Sequence, residues 1–319
     1  MTGRPATPPP GRNSIDGPLT TEHIRAVTEQ ITSSVGLDST GAYLIKFTIN
    51  AVVALPAAGA VLRIAGSAPT RARIPSVIMV AQWFAEHDIP AIRLWSDIHQ
   101  PLEAGHHQAT LWKMAPPGGP APTPTDLARI LKTIHSFSDS PNIPTWAPLE
   151  TMRRRIADAT HIDQSTVDLL KRQLDSVERD MPLLDKERLL PPGVIHGDAH
   201  MGNLIPAPDG PIICDFDSTN IGPREWDLTP AALGAIRFGY GPTVHNELST
   251  AYGVDVTTWS GFPVLRRLRE LQLVTSVIPL LEANPNLRPQ WELRISTLLD
   301  IDPEQPWTPF AKASNPSPF

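Results

Sequence analysis

Residues 115–125 read APPGGPAPTPT, five prolines and two glycines in eleven positions. No regular element runs through such a stretch, because proline offers no backbone N–H and fixes φ, while glycine is costly to order. The 319-residue chain must therefore fold on either side of a connector, and the hydrophobic period differs between the two sides. Before the connector, AYLIKFTI (42–49), AVVAL (51–55) and AVLRIA (60–65) have strand character, the last two joined by a Pro-Ala-Ala-Gly turn. AIRLW (91–95) and ATLWKM (109–114) are two further expected strands. One helix is expected from Thr20 and Thr21 through EHIRAVTEQI, with Ile24, Val27 and Ile31 on one stripe. A second, SVIMVAQWFAEH, is expected to open with Pro75 in its first turn. After the connector the helical period dominates, in DLARILKTIHSF, two charged helices between Leu149 and Met181, then AALGAIRFG, VLRRLRELQLVTSVI and WELRISTLL.

The expected fold class is thus α+β. A Pro-rich disordered tail spans 1–18 and a small antiparallel β-rich lobe with one inserted helix spans 19–113. A hinge or linker follows over 114–124, and a larger, mostly helical lobe over 125–319. The net charge of −6 gives no general attraction to nucleic acid or to an anionic membrane. No apolar run approaches the ~20 residues of a membrane span. Cys214 is the single cysteine, which excludes an internal disulfide, and MTGRPATPPPGRNSIDGP lacks the apolar centre of a secretory signal. These features predict a cytoplasmic protein with no nucleic-acid or membrane partner; they carry no signal about oligomeric state.

The chemistry is concentrated in VIHGDAHMGNLI, residues 194–205. His196, Asp198 and His200 alternate, so on a strand they would share one face and could hold zinc in a metal-dependent hydrolase. Gly197 and Gly202 favour a loop instead. Asp198 and Asn203 have the spacing of a phosphotransfer loop, in which the aspartate accepts the substrate hydroxyl proton and the asparagine holds magnesium. A further hard oxygen ligand follows at Asp215, where the apolar PIIC gives way to Asp215-Phe216-Asp217.

HGDAHMGNLI followed by PIICDFDSTNIGPREWDL resembles the signature of the aminoglycoside phosphotransferase and choline kinase-like family, closely over Ile195–Leu228 and more loosely over the first lobe. The resemblance implies a two-lobed protein-kinase-like fold and an ATP- or GTP-dependent kinase that phosphorylates a hydroxyl of a small molecule. Asp198 would be the catalytic residue that orients that hydroxyl, and His196 would brace its loop. Asn203 and Asp215 would bind Mg2+. Asp227 would cap a helix and hydrogen-bond the loop, and Cys214 would fill core. KFTINAVVAL would cover the nucleotide, with Thr48 and Asn50 near the phosphates, and Arg63 would stand where such kinases place a phosphate-gripping lysine. Trp112, Lys113 and Met114 would form the hinge that reads the base.

One departure stands out. No Asp or Glu lies between Gly66 and Ala85, and Val77 occupies the position expected for a glutamate partner of Arg63. That keeps a nucleotide-binding pseudokinase open as an alternative. On the acceptor side, Asp198, His200, Asp217, Trp226 and Tyr240 are the expected contacts. From Arg224 onward ten acidic residues face eight basic ones, with Arg266, Arg267 and Arg269 clustered, so no acidic excess focuses a polycation. Antibiotic inactivation is expected, with a less cationic antibiotic or a nucleoside-like acceptor slightly ahead of a true aminoglycoside.

Overall fold

The computed structural model describes residues 19–298 and 306–310; the tail expected over 1–18 lies outside them. The chain divides into two compact units, one of residues up to Glu86 together with 91–116, the other of residues 87–90 and 117 onward.

In the first unit, α1 (Thr21–Ser34) starts at Thr20, whose side chain accepts from the His23 N–H, and it buries the expected stripe of Ile24, Val27 and Ile31. β1 (Tyr43–Phe47), β2 (Ala51–Leu55) and β3 (Ala60–Ile64) follow, then α2 (Ala68–Glu86), β4 (Leu102–Ala104) and β5 (His107–Lys113). The strands form one antiparallel sheet in the order β1-β2-β3-β5-β4. Alternation sends Val53, Leu55, Leu62, Ile64 and Leu111 into a core with the α1 stripe. Each such burial contributes about 1.5–3 kcal/mol, so register is strongly specified. A slip of one residue would carry Arg63 into that core. The opposite face carries Val52, Arg63 and Thr110 as one cross-strand row.

Two expectations for this unit need correction. AIRLW is not a strand; Ala91 and Leu94 are single bridge residues, Leu94 opposite Trp112. The Trp95 N–H still donates to the Leu111 carbonyl at 2.9 Å, but the Gln100 amide takes the return bond, accepting from the Leu111 N–H at 2.8 Å and donating to the Trp95 carbonyl at 3.2 Å. The edge strand is the short β4, which alternation alone did not single out. Helix α2 also starts seven residues before Pro75, which lies inside it. Ser67 and Thr70 cap the true start reciprocally: Thr70 Oγ1 accepts from Ser67 N at 3.0 Å, and Ser67 Oγ from Thr70 N at 3.4 Å. Pro75 forfeits one intrahelical bond, a loss offset here by the burial of Ile74, Val77, Val80 and Phe84.

The second unit opens on α3 (Pro124–Ser136), begun by a Thr123–Asp126 capping box with Pro124 in the first turn. The connector therefore ends by starting a helix. Next come α4 (Pro148–Ala157), α5 (Gln164–Asp180), α6 (Pro182–Lys186), β6 (Gly193–Ile195), β7 (Leu204–Ile205), β8 (Ile212–Ile213) and β9 (Asn220–Gly222). α7 (Thr229–Arg237), α8 (Thr243–Tyr252), α9 (Phe262–Thr275) and α10 (Arg288–Ser296) complete it; α8 had no counterpart in the expected helices. β6 pairs with β9 and β7 with β8, both antiparallel. These two small ribbons frame residues 196–203, which form a loop and a short 3-10 turn rather than a strand.

Candidate active site

A loop buried this deeply must place each of its backbone polar groups. Asp227, fully buried, accepts from the His196 N–H at 2.6 Å and the Gly197 N–H at 2.7 Å. Trp226 Nε1 donates to the Gly197 carbonyl at 2.9 Å and Thr219 Oγ1 to the His196 carbonyl at 3.3 Å. Asn203 Nδ2 donates to the Asp198 carbonyl at 2.9 Å. His196 donates from Nε2 to the Cys214 carbonyl at 3.0 Å, so its Nδ1 carries no proton and faces the Asp198 N–H at 3.4 Å. Burial pushes the His196 imidazole below its ordinary pKa, in keeping with a neutral ring. Gly197 is required twice over: its φ is +83°, and a Cβ there would lie 1.9 Å from the Ser218 carbonyl oxygen.

Behind the loop stands a polar relay that sequence reasoning missed. His135 Nε2 donates to Asp227 Oδ2 at 3.1 Å, and its Nδ1 accepts from the Tyr252 hydroxyl at 2.8 Å. Burial, and then the Asp227 charge, push the Tyr252 phenol well above its ordinary value, so it remains a donor. The expectation for Asp227 is half met. It bonds the loop, but it caps no helix, because both of its oxygens are occupied by loop and His135 donors.

The loop presents Asp198 with its side chain about one-third exposed (34%). Arg269 on α9 donates from NH2 to Asp198 Oδ1, and His200 Nε2 lies 3.6 Å from Oδ2. Burial alone would raise the Asp198 carboxyl, but the Arg269 charge, with His200, outweighs it and holds the group well below the usual carboxylate range. His200 is fixed through Nδ1, which accepts from the Gly202 N–H at 3.0 Å. His196, Asp198 and His200 do not converge as metal ligands, and among the described residues no group of three His, Cys, Asp or Glu does so. His196 is instead turned inward to the Cys214 carbonyl.

The oxygen pair is different. Cys214 N–H donates to the Asn203 carbonyl at 2.9 Å, and Leu204 pairs with Ile213, so Asn203 and Asp215 flank the same two-strand ribbon. Because the Asn203 amide nitrogen faces the Asp198 carbonyl, its Oδ1 is turned the other way. Asp215 has φ +69°, a left-handed conformation that a non-glycine residue adopts at some cost. An amide oxygen and a carboxylate on adjacent segments are the hard donors magnesium takes.

In the first unit, Arg63 sits on the central strand β3. Asn50 does not stand free for phosphates: its Oδ1 accepts from the Gly66 N–H at 3.3 Å, tying the β1–β2 turn to the end of β3. Thr48 is exposed in that turn. At the expected hinge, the Lys113 and Met114 N–H groups are already donated, to the Arg93 carbonyl at 2.8 Å and the Gly59 carbonyl at 2.9 Å. Trp112 is buried and donates from Nε1 to Thr110 Oγ1 at 2.8 Å. Neither of those two N–H groups therefore reads a base. Tyr43, 57% exposed, begins the row Tyr43–Ala54–Val61–Trp112 beside the Arg63 row. Val77 is buried on α2, whose one acid is its last residue, Glu86.

Residues 49–271, well over half of the chain, match the phosphotransferase enzyme family (APH). The chain belongs to this family. Solved structures agree on the fold. A choline/ethanolamine kinase family protein from Mesorhizobium loti aligns at 16% identity and TM-score 0.61, over 92% of this chain and 97% of its own. A choline kinase from Streptococcus pneumoniae aligns at 13% and 0.60, over 85% and 98%. An amicoumacin kinase, solved in complex with AMP-PNP, Ca2+ and Ami, aligns at 13% and 0.62, over 92% and 100%. At such identities the likeness establishes the protein-kinase-like fold. A search of curated proteins finds no match. By family, then, this chain is a phosphotransferase.

For the phosphotransferase's acceptor side, the structure revises the expected contacts. Trp226 is 1% exposed and cannot touch a substrate, because its ring lies beneath the loop it hydrogen-bonds. Tyr240 is half exposed and stacks on Phe238 with ring centroids 5.6 Å apart. Asp217 lies in the 3-10 turn after Asp215. Arg269, which does reach Asp198, was visible in the sequence only as one of three clustered arginines. No helix among the described residues is long and apolar enough to cross a membrane.

Proposed function

We propose that this phosphotransferase inactivates an antibiotic by moving the γ-phosphate of ATP or GTP to one of its hydroxyls. The observation that carries the reading is Asp198, ionised and partly exposed on a loop whose backbone is held by buried partners. The acceptor hydroxyl donates its hydrogen bond to Asp198, its oxygen forms a bond to the γ-phosphorus, and the bond to the β-phosphate oxygen breaks to release the diphosphate. A carboxylate held so far below its ordinary pKa is a weak base. It therefore aligns the hydroxyl and receives the proton as the new bond forms rather than before, which suits a loose transition state. Asn203 and Asp215 are the residues that would hold magnesium, which neutralises phosphate charge when bound. Arg63 supplies a planar guanidinium to phosphate oxygens, and exposed Tyr43 offers a surface for the base.

The protein is to be incubated with ATP or GTP, magnesium and a panel of hydroxylated antibiotics, following diphosphate release and the mass of the antibiotic. Release together with a gain of one phosphate on the antibiotic is the expected result. Choline phosphorylation without any antibiotic product would move the acceptor to the amino-alcohol class. A second reading, a nucleotide-binding pseudokinase, is favoured by one observation: buried Val77 and an otherwise acid-free α2. Nucleotide binding without transfer to any acceptor would establish that reading instead.

A further inference from the structure

Helix α9 carries three arginines in four positions, and the fold gives each a different task. Arg266 Nε bonds Glu270 at 2.9 Å, and Arg267 bonds Asp180 at 2.7 Å and Ser176 at 2.9 Å. Those two charges are spent within the helical packing. Arg269 turns to the Asp198 loop. Its NH2 donates to Asp198 Oδ1, its NH1 donates to Gln272 Oε1 at 2.7 Å, and its guanidinium lies 5.7 Å from the Trp226 ring centroid. The side chain is 6% exposed, so it is built into the wall and is not a mobile surface group.

Two consequences follow for the reacting end of the acceptor. Oδ1 carries the Arg269 bond, which leaves Oδ2, on the His200 side, as the oxygen with more acceptor capacity for the hydroxyl. A single rotamer of Asp198 is thereby selected. The second consequence is charge. The carboxylate an acceptor must approach is cancelled at contact distance by a buried cation of fixed position, and charges a few ångströms apart in a partly buried site are poorly screened. An acceptor with ammonium groups around its reacting hydroxyl gains no attraction there and meets the guanidinium field instead.

We propose that Arg269 is a positioning and specificity-determining residue, holding Asp198 through Oδ1 and selecting acceptors whose reacting hydroxyl is not flanked by ammonium groups. The proposal rests on the reading of Asp198 as the hydroxyl-orienting residue. Kanamycin, a polycationic aminoglycoside, serves as the probe in calorimetric titrations of the full chain with ADP and magnesium present. The wild type, Arg269→Gln and Arg269→Lys are compared, and the affinity for ADP with magnesium is measured on each. The expected result is weak kanamycin binding by the wild type, with a Kd in the millimolar range. Arg269→Gln should bind it at least tenfold more tightly, because it keeps a donor to Asp198 but removes the charge. Arg269→Lys should remain as weak as the wild type. Should the glutamine variant not fold, Arg269→Met makes the same charge deletion. Micromolar kanamycin binding by the wild type, or equal affinities for the charge-keeping and charge-deleting variants, overturns the proposal and leaves the phosphotransferase reading intact. Failure of the wild type to bind ADP with magnesium overturns both.

Discussion

Asp227→Asn preserves side-chain shape and removes one property, the ability of both oxygens to accept. In the native site Oδ1 receives the Gly197 N–H, while Oδ2 receives the His196 N–H and His135 Nε2. The asparagine amide must aim its own N–H groups at one of these donor sets. The better orientation keeps the oxygen toward His196 and His135 and strands the Gly197 N–H against another donor. One hydrogen bond to a charged acceptor is then lost, worth about 1.5–3 kcal/mol, and a buried N–H is left unsatisfied at a further cost of about 1–3 kcal/mol. The sum, about 2.5–6 kcal/mol, should lower the melting temperature by roughly 5–24 °C for a unit of this size. Asp198 sits one residue beyond Gly197, so the displaced loop should also slow diphosphate release by about a hundredfold, the effect of an error near 1 Å in a reacting group. Thermal melts and release rates on the purified variant test both numbers. An Asp227→Asn protein that melts within about 2 °C of the wild type and turns over equally well would refute the assignment of Asp227 as the loop's anchor.

Gly197→Ala should abolish turnover and lower the melting temperature, since the new Cβ would meet the Ser218 carbonyl at 1.9 Å in a left-handed conformation; a variant as stable and active as the wild type would contradict that close approach. Asp215→Ala should weaken ADP binding at least tenfold in magnesium and leave it unchanged in EDTA, whereas an equal loss in both buffers would remove Asp215 from the metal. Hydrogen bonds from Ser165 and Thr166 hold Asp163, the cap of α5, down to about 2, below the ~3.9 of an unfolded chain. Its stabilisation is complete above the unfolded value and is lost as pH falls through 2. Denaturation of Asp163→Ala at pH 6, 4 and 2.5 should show a deficit that shrinks toward the lowest pH, and a constant deficit would count against the assignment.

The candidate loop stood out in the sequence because its polar residues are local: His196, Asp198, Asn203 and Asp215 fall within twenty residues, on segments joined by short turns. Its supports were not legible, because they arrive from far along the chain. Arg269 lies 71 residues from Asp198, His135 lies 92 from Asp227, and Tyr252 lies 117 from His135. Periodicity marks α3, α8 and α9 as amphipathic at most; it does not say which polar residue on a helix faces a loop elsewhere. Trp226 shows the reverse error, since an aromatic side chain beside the motif suggested a substrate contact when the loop's own carbonyl needed an indole donor. AIRLW stopped at single bridges for a similar reason: the Gln100 side chain inserts between the Leu111 N–H and the Trp95 carbonyl, a bond that a strand there would have made. Pro75 was read through its preference for first turns, while the stronger start signal, Ser67 with Thr70, passed unnoticed.

The central claim is that Asp198 orients the acceptor hydroxyl for transfer from a nucleotide. Its most direct test measures, on Asp198→Asn and on the wild type, the rate of acceptor-dependent diphosphate release together with the affinity for ADP and magnesium. Release should fall by about 10²–10⁴-fold, the usual worth of a positioned acid–base group, while nucleotide affinity should stay within about twofold, since Asp198 is proposed to contact the acceptor and not the nucleotide. Release at the wild-type rate from Asp198→Asn, with nucleotide affinity unchanged, would contradict it.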